Sequence, residues 1–345
     1  MSLLSRDEQL TAWIATRVAP YYRLPADRIS LAPASADASF RRYFRLSFPD
    51  GQTHILMDAP PEQEDCRPFI EVAALMAEAG ILAPRVEIED GEAGFLLLSD
   101  LGRVSYLAAL QAEPGRADTL MRPVLDTLVR WQKASRPGIL PPYDETLLRR
   151  EMALFPEWYL GRHLGRTLAE TEEKALERVF SLLVEAALAQ PRVFVHRDFM
   201  PRNLMLSEHE AVVIPGVLDF QDAVEGPITY DLVSLFRDAF ISWEEEQELD
   251  WVIRYWEKAR AAGLPVHPDF GDFWRAYEWM GLQRHLKVLG IFCRLHYRDG
   301  KSHYLADLPR FVGYIRKIAG RYGEFKPLLP ILAGREENTD VHFTF

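Results

Sequence analysis

The chain has 345 residues, 48% hydrophobic and 26% charged, which is typical of a globular protein and excludes a disordered, collagen-like or low-complexity chain. Its formal net charge of −11 disfavours nucleic acid and anionic membranes as partners. Cys66 and Cys293 fit no disulfide framework or metal-binding spacing. The charged N-terminus does not resemble a signal peptide, and the most apolar run, residues 94–98, is too short to span a membrane. We therefore expect a soluble, cytoplasmic protein with two domains or lobes.

Residues 1–100 predict a small lobe that is rich in β-structure. Leu10, Ile14 and Val18 recur at the spacing of an amphipathic helix, and Pro49-Asp50-Gly51 is a turn signal between two strand-like stretches. The predicted elements are, in chain order, a helix within the first 25 residues, strands at 40–48 and 53–57, a helix at 62–79 that ends at Gly80, and strands at 85–88 and 95–98.

Residues 101–345 predict a larger and mainly helical lobe, which begins just after the last strand of the small lobe. Short apolar stretches at 193–195, 204–206 and 216–218 interrupt the helices and predict local β-structure. Because strands are rare in this part of the chain, we expect the residues between them to be held in place for a purpose. The sequence thus predicts an α+β fold with two lobes and a boundary at residue 100.

The segment that follows the first of these strands carries the strongest chemical signal. Residues 196–203 read HRDFMPRN, and Asp219 follows the third strand in GVLDFQD. Phosphoryl transfer needs a carboxylate that orients or deprotonates the attacking hydroxyl, and magnesium needs hard oxygen ligands. We therefore predict Asp198 as the catalytic residue and Asn203 and Asp219 as magnesium ligands, with a structural role for His196. The alternative is a capped turn with surface acids.

This segment resembles the catalytic loop of the kinase-like phosphotransferases of the aminoglycoside phosphotransferase and choline kinase group. Asp219-Phe220-Gln221 is similar to that group's metal-binding element, and residues 96–102, LLLSDLG, are similar to its hinge between lobes. Residues 229–232, TYDL, are similar to the helix start that follows the metal-binding Asp. The resemblance implies a bilobal protein-kinase-like fold, ATP and Mg²⁺ as cofactors, and a bracing role for Asp231 at the catalytic loop.

Four further stretches narrow the resemblance to the anomeric kinases that act on N-acetylmuramate and N-acetylglucosamine. They are DASFRRYFRL at 37–46, ILMDAPPE at 55–62, LQRHLKVLGIFCRLHYRDGK at 282–301 and YLADLPR at 304–310. The resemblance implies transfer of the γ-phosphoryl group of ATP to the anomeric hydroxyl of the sugar, giving a sugar 1-phosphate for cell-wall recycling. The implied partner is a small amino sugar, and the sequence does not specify an oligomeric state.

In kinases of this architecture, the third strand of the small lobe carries a Lys that binds phosphate. The corresponding strand here, at residues 53–57, lacks that Lys. Met57 stands at about that position, and residues 1–100 contain nine Arg and no Lys. Arg41 and Arg42 at the start of the hairpin, with Ser39 in the small polar loop before them, are the candidates to hold the phosphates instead. The alternatives are a hairpin with a solvated arginine face and a nucleotide-binding pseudokinase.

The hinge is expected to bind the adenine base. The resemblance implies contacts from the backbone around Leu97, Ser99 and Leu101. Leu46 is a candidate to pack on the adenine ring, and a core role for these apolar residues is equally consistent with the sequence.

The acceptor pocket of this group is built from the helical lobe, where Asp222 and Glu225 are candidates to line it. Basic residues recur at three-and-four spacing on the predicted helix near 272–298, and such a stripe is usually a solvated helix face. The alternative is that Arg284 with His285 meets an anionic acceptor. This would suit the lactyl carboxylate of N-acetylmuramate and would repel polycationic aminoglycosides.

The local charge favours an anionic or neutral acceptor over a polycation. Residues 272–317 contain nine basic and four acidic residues, a net charge of +5 in a chain whose total is −11. Two other functions stay open: a kinase of the same fold that acts on an aminoglycoside, a choline-like amine or homoserine, and a pseudokinase. The intact set of Asp198, Asn203 and Asp219 argues against the pseudokinase.

Overall fold

A computed structural model describes residues 4–35, 40–206 and 214–333. The chain divides into two compact units, Met1–Ala134 with Pro201–Ala223, and Ser135–Met200 with Val224–Phe345. Residues 101–134 and 201–223 therefore belong to the first unit, although the sequence places the lobe boundary at residue 100. Backbone hydrogen bonds explain this grouping, since Leu206 donates to Val104 and Val217 donates to Leu82.

The first unit is built on an antiparallel sheet whose five strands have the order β1-β2-β3-β5-β4 in its described part. In the register, Phe44 faces Leu56, and Leu56 faces Leu97. Successive side chains point to opposite faces of a strand, so Leu56 and Leu97 share one buried face. The strands are β1 Ser30–Ser35, β2 Arg42–Ser47, β3 Thr53–Asp58, β4 Val86–Asp90 and β5 Phe95–Ser99.

An N-terminal helical segment covers that face of the sheet. It begins with α1, Arg6–Trp13, which Ser5 and Glu8 cap reciprocally, and continues as a π-helical stretch, Ile14–Val18, and the short α2, Ala19–Tyr21. The helical spacing of the apolar residues explains why they meet the sheet on one side. The resulting core cluster contains Leu10, Trp13, Ile14 and Val18 together with Leu46, Leu56 and Leu97.

The rest of the first unit contains helices and a small strand pair. Its helices are α3 Arg67–Glu78, α4 Tyr106–Ala112 and α5 Ala117–Lys133. Two short antiparallel strands, β7 Leu204–Leu206 and β8 Pro215–Val217, form a separate ladder. The Leu218 amide donates to the Asn203 carbonyl at 2.9 Å, so the two strand ends that carry Asn203 and Asp219 lie side by side.

The second unit is mainly helical, apart from the antiparallel ladder of β6, Arg192–Val195, with β9, Val224–Pro227. Its longest helix, α10, Phe270–Asp299, is largely buried and packs against several other helices of the unit. The remaining helices are α6 Glu145–Met152, the π-helix Phe155–His163, α7 Glu170–Leu188, α8 Tyr230–Phe236, α9 Glu245–Ala261, α11 Leu308–Arg321 and α12 Leu328–Leu332.

These elements confirm the predicted α+β class, with one β-rich and one mainly helical part. The sequence did not predict β1 or β9, and the helix expected at 62–79 begins at Arg67, where the Asp65 side chain accepts a hydrogen bond from the Arg67 amide. Within the described ranges, the structure contains no helix of the length and apolarity needed to cross a membrane.

Candidate active site

The loop after β6 is held in a strained conformation by buried hydrogen bonds. Arg197 has a backbone φ of 76°, in the left-handed region that residues with a Cβ atom rarely adopt. The fully buried Asp231 carboxylate accepts hydrogen bonds from the amides of His196 at 2.7 Å and Arg197 at 2.9 Å. The His196 ring, also fully buried, accepts a hydrogen bond from the Asp198 amide at 3.2 Å through Nδ1. Asp231 and His196 therefore bind the backbone of this loop, which is what a structural role requires.

The Asp198 side chain is 40% exposed and faces a buried cation. Arg284 Nη2 lies 3.6 Å from Asp198 Oδ1, and the Arg284 side chain is only 6% exposed. Partial burial acts to raise the pKa of Asp198, but the charges of Arg284, Lys287 and Arg197 outweigh it and hold the pKa below its ordinary value. Asp198 is therefore an ionised, accessible carboxylate at neutral pH, as a catalytic residue that accepts a hydrogen bond from an acceptor hydroxyl must be.

In the first unit, two side-chain amides orient the Asp219 carboxylate. Asn203 Nδ2 lies 3.3 Å from Asp219 Oδ2, and Gln221 Nε2 donates to Asp219 Oδ1 at 2.8 Å. Asp219 itself has a backbone φ of 62°, a second strained position in a candidate functional segment. The structure thus brings Asn203 and Asp219 together, as the sequence predicts, and adds Gln221 to them.

This cluster fits a magnesium ion. Carboxylate and amide oxygens are the protein ligands that Mg²⁺ prefers, and Asp219, Asn203 and Gln221 supply both kinds. Gln221 Oε1 is buried and finds no hydrogen-bond partner in the described residues, so it is an acceptor that a cation or its bound water would satisfy. Asp219 and Asn203 are the residues that would hold the metal here, with Gln221 beside them.

The predicted hinge is fixed by an ion pair inside the first unit. Arg45 donates to both carboxylate oxygens of Asp100 and, at 2.7 Å, to the Gly102 carbonyl. Ser99 Oγ accepts a hydrogen bond from the Arg85 amide at 2.9 Å. The Leu97 side chain is fully buried in the core cluster, which is the core-packing alternative that the sequence left open. Leu101 follows Asp100 directly and packs against Gly216.

The arginines predicted to hold phosphates already bind carboxylates. Arg42 donates to the fully buried Asp58 and to Asp7, and Arg41 pairs with Glu64 at 3.0 Å. Ser39 lies outside the described residues. Leu46 is fully buried between the sheet and the N-terminal helix, again the core-packing alternative.

The residues predicted to line an acceptor pocket have different surroundings. Asp222 is exposed and belongs to the first unit, whereas Glu225 lies on β9 and accepts a hydrogen bond from the Ile139 amide at 3.0 Å. His285 is fully buried and stacks on Tyr314 with ring centroids 4.7 Å apart. Burial, with help from Arg237 and Arg284, holds the pKa of His285 well below its ordinary value, so its ring is neutral.

A buried ion pair that the sequence did not predict lies next to Arg197. Glu151 and Lys287 are 5% and 6% exposed, and Lys287 Nζ donates to Glu151 Oε1 at 2.8 Å. Lys287 follows Arg284 by three residues, so the helical spacing placed them on one face, but nothing in the sequence showed that this face is buried. A partner 136 residues away in the chain leaves no local signal.

Comparison with known proteins identifies the family of the chain. A family model described as "Phosphotransferase enzyme family" matches residues 30–267. Two curated proteins named N-acetylmuramate/N-acetylglucosamine kinase are similar to the chain. The protein from Pseudomonas aeruginosa is 51% identical over 99% of this chain and 100% of its own length. The protein from Pseudomonas putida is 48% identical over 95% of this chain and 96% of its own length.

Solved structures of low sequence identity share the fold. An ethanolamine kinase from Plasmodium vivax has a TM-score of 0.63 and 10% identity, covering 96% of this chain and 91% of its own. An ADP-bound aminoglycoside phosphotransferase has a TM-score of 0.58 and 13% identity, covering 88% of this chain and 97% of its own. The resemblance drawn from the catalytic-loop motifs is therefore confirmed: the chain belongs to the phosphotransferase enzyme family, whose members transfer phosphoryl groups.

Proposed function

We propose that the protein is an ATP-dependent kinase that phosphorylates the anomeric hydroxyl of N-acetylmuramate and N-acetylglucosamine to give the sugar 1-phosphate. The observation that carries the proposal is the Asp198 carboxylate, 40% exposed and set against Arg284 at the end of β6. The names of the relatives at 48–51% identity supply the acceptor class.

Asp198 has the role of orienting the acceptor hydroxyl for in-line attack on the γ-phosphorus. Positioning of this kind contributes more to phosphoryl transfer than covalent chemistry does, because the transition state is loose. The anomeric hydroxyl is more acidic than an ordinary alcohol, so an ionised Asp198 with a lowered pKa is a sufficient proton acceptor.

The nucleotide side of the reaction belongs to the first unit. Asn203 and Asp219 hold Mg²⁺, which when bound neutralises charge on the phosphate oxygens. Backbone groups around Ser99 and Leu101 bind adenine. For the phosphates we propose Ser39, Arg41 and Arg42, in place of the Lys that Met57 replaces.

The acceptor side belongs to the second unit. Arg284, whose Nη2 lies 3.6 Å from Asp198 Oδ1, is the proposed partner for an anionic group of the acceptor, because a guanidinium attracts a carboxylate and repels an ammonium group. Glu225 and His285 are further candidates in this unit, and Asp222 is an exposed candidate in the first unit. The sugar 1-phosphate product suits a cytoplasmic role in cell-wall recycling.

The decisive experiment incubates the protein with Mg–ATP and a panel of acceptors, and measures ADP together with the phosphorylated product. We expect product with N-acetylmuramate and N-acetylglucosamine and none with kanamycin, choline or homoserine. The position of the phosphate is read by ³¹P–¹H NMR coupling to the anomeric proton. Turnover of an amine or aminoglycoside instead of a sugar would overturn the acceptor assignment, and no turnover with any acceptor would favour a pseudokinase.

A paired variant tests the role of Asp198. Asp198→Asn removes the proton acceptor and keeps the shape of the side chain, so we expect turnover to fall about 10²- to 10⁴-fold while nucleotide binding persists. Glu257→Gln makes the same chemical change at an exposed position on α9 and serves as the matched control. Full activity in Asp198→Asn would contradict the assignment.

A further inference from the structure

Lys287 on α10 is a cation that the proposed reaction does not use directly, yet it is almost completely buried. Its side chain is 8% exposed, and its Nζ donates to Glu151 Oε1 at 2.8 Å and to the Tyr230 hydroxyl at 3.0 Å. Placing an ammonium group in a protein interior is costly unless it is paired and hydrogen-bonded. The position of Lys287 therefore calls for a specific reason.

The Tyr230 hydroxyl links Lys287 to Arg284. Tyr230 is fully buried at the start of α8, and its oxygen lies 3.0 Å from Lys287 Nζ and 3.2 Å from Arg284 Nη1. Lys and Arg only donate hydrogen bonds, so the phenol oxygen accepts both and fixes the distance between the two cations. The same Arg284 Nη1 donates to the Arg197 carbonyl at 3.1 Å, while Nη2 faces Asp198 at 3.6 Å.

Glu151 on α6 holds the other side of Lys287. Its carboxylate also accepts a hydrogen bond from Arg197 Nη2 at 2.6 Å and one from the Tyr143 hydroxyl. Burial acts to raise the pKa of Glu151, but Lys287 and Arg197 outweigh it and keep the pKa below its ordinary value. Glu151 is therefore ionised at neutral pH and stabilises the buried ammonium group of Lys287.

The charges around Asp198 come from several elements of the second unit. The cations Arg197, Arg284 and Lys287 lie near two ionised carboxylates, Asp198 and Glu151. Burial raises the pKa of a third carboxyl group, Asp231, to about 7, so Asp231 is only partly charged at neutral pH. The groups that face Asp198 are His196 and Arg197 on its own loop, Asp231 on α8, and Arg284 and Lys287 on α10, with Glu151 on α6 and Asp238 after α8 behind them.

We propose that Lys287 is a positioning residue for the catalytic carboxylate, because through Tyr230 it holds the Arg284 guanidinium against Asp198. This inference rests on the proposed function in assigning Asp198 as the group that accepts the hydroxyl proton. It also explains why two basic residues of the stripe in 282–301, Arg284 and Lys287, are buried instead of solvated.

The consequence is a pH effect with a definite sign. Lys287 and Arg284 both lower the pKa of Asp198, so loss of Lys287 raises it. The reaction needs ionised Asp198 and fails as the pH falls through that pKa. A variant without Lys287 must therefore lose activity at a higher pH than the wild type does.

The test compares Lys287→Gln, Lys287→Arg and Tyr230→Phe with Lys317→Gln, a matched control. Lys317 pairs with Glu245 at 3.0 Å on a half-exposed part of α11 and has no contact with the catalytic loop in the described residues. The measurement is kcat/KM for N-acetylglucosamine from pH 3 to 8, because the acid limb of the wild type lies below the ordinary pKa of an Asp side chain and this acceptor has no group that titrates in that range. Urea unfolding monitors whether each variant is folded.

We expect the acid limb of Lys287→Gln to move up by about half to one pH unit, which is about a three- to tenfold loss at fixed acidic pH. Lys287→Arg restores the charge and most of the profile. Tyr230→Phe shifts the limb in the same direction, and the double variant with Lys287→Gln shifts it no further than the larger single change, because both act through Arg284. Lys317→Gln keeps the wild-type profile.

A titration of Asp198 by ¹³C-carboxyl NMR, with its signal identified by its absence in Asp198→Asn, gives a second readout that does not need turnover. If the wild type phosphorylates no acceptor, the proposed function fails, and the NMR titration still tests the positioning role. A folded Lys287→Gln protein whose Asp198 titrates as in the wild type would overturn the proposal, whatever its stability.

Discussion

At the scale of single residues, strained backbone marks both candidate functional segments. Arg197 and Asp219 adopt φ values of 76° and 62° although neither is glycine, which costs free energy that surrounding contacts must repay. Asp231 binds the backbone at Arg197, and two amide side chains bind Asp219. Arg197 directly precedes the proposed catalytic Asp198, and Asp219 is itself a proposed metal ligand. The strained backbone at these positions therefore sets the direction of both carboxylates.

Gln221 gives a prediction at this scale. It donates to Asp219 Oδ1 at 2.8 Å, and outer partners of metal ligands commonly change metal affinity by about 10–100-fold. We expect Gln221→Ala to raise the Mg²⁺ concentration needed for half-maximal turnover about tenfold, and saturating Mg²⁺ to restore most of the rate. The measurement is a Mg²⁺ titration at fixed ATP.

Gln63→Ala is the matched control for this change, since Gln63 is an exposed glutamine of the same unit. Identical Mg²⁺ curves for the two variants would show that Gln221 does not support the metal ligand.

At the scale of elements, the catalytic loop depends on α8 for its shape. Asp231 in the first turn of α8 accepts two backbone hydrogen bonds from the loop. Asp231→Ala leaves the buried amides of His196 and Arg197 without an acceptor, so we expect a loss of about 2–5 kcal/mol in the free energy of unfolding. Turnover should also fall, because Arg197 loses the contact that holds its backbone. Urea unfolding and kcat measure the two effects.

Glu257→Ala, which removes an exposed carboxylate from α9, should leave both quantities nearly unchanged. A loss of stability in Asp231→Ala without any loss of turnover would separate the fold of the loop from its function and contradict the bracing role.

The ion pair between the first residue of β2 and the last residue of β3 gives a second prediction at this scale. The Asp58 carboxylate at the end of β3 is fully buried between Arg42 and Arg6. Arg42→Ala removes one of its two cations, so we expect the free energy of unfolding to fall by about 1–3 kcal/mol. Arg67→Ala breaks the Arg67–Asp65 pair of the same unit, which is solvent-exposed, and should leave stability nearly unchanged. Equal effects in urea unfolding would show that burial of Asp58 is not what matters.

Local patterns made some of these elements predictable. Helical spacing located the N-terminal helix, the turn at Pro49-Asp50-Gly51 located the hairpin, and the spacing of HRDFMPRN pointed to Asp198 and Asn203. Each of these signals lies within a few residues of what it predicts. The strand Ser30–Ser35 was missed because Pro33 and its small, polar neighbours have weak strand propensity, and the sheet forms it by pairing with β2.

Contacts between distant parts of the chain were not predictable. The stripe of Arg284 and Lys287 reads as a solvated helix face, and burial reverses this interpretation because α10 is covered by other helices of its unit. Arg41 and Arg42, the proposed phosphate ligands, also bind carboxylates from later segments, Glu64 and Asp58, and no local pattern in the sequence indicated these pairs. Periodicity shows which residues share a face, and not what packs against that face.

At the scale of the whole molecule, the proposed chemistry is divided between the two units. Asn203 and Asp219 belong to the first unit and Asp198 to the second, so the chain passes from one unit to the other between Met200 and Pro201, inside the catalytic-loop motif. Metal binding and acceptor activation can therefore be removed separately, although the residues that perform them are close in the sequence.

Nucleotide-dependent stabilisation tests this division. A ligand that binds only the folded state stabilises it by about 2.7 kcal/mol at a concentration 100 times its Kd. We expect Mg–ATP to raise the Tm of the wild type and of Asp198→Asn equally, because Asp198 binds neither metal nor nucleotide. Asp219→Ala should lose most of the shift, since the phosphates then lack their metal. ATP with EDTA, measured on the wild type, shows how much of the shift needs Mg²⁺. A full Mg–ATP shift in Asp219→Ala, or its loss in Asp198→Asn, would show that the two functions are not divided between the units in this way.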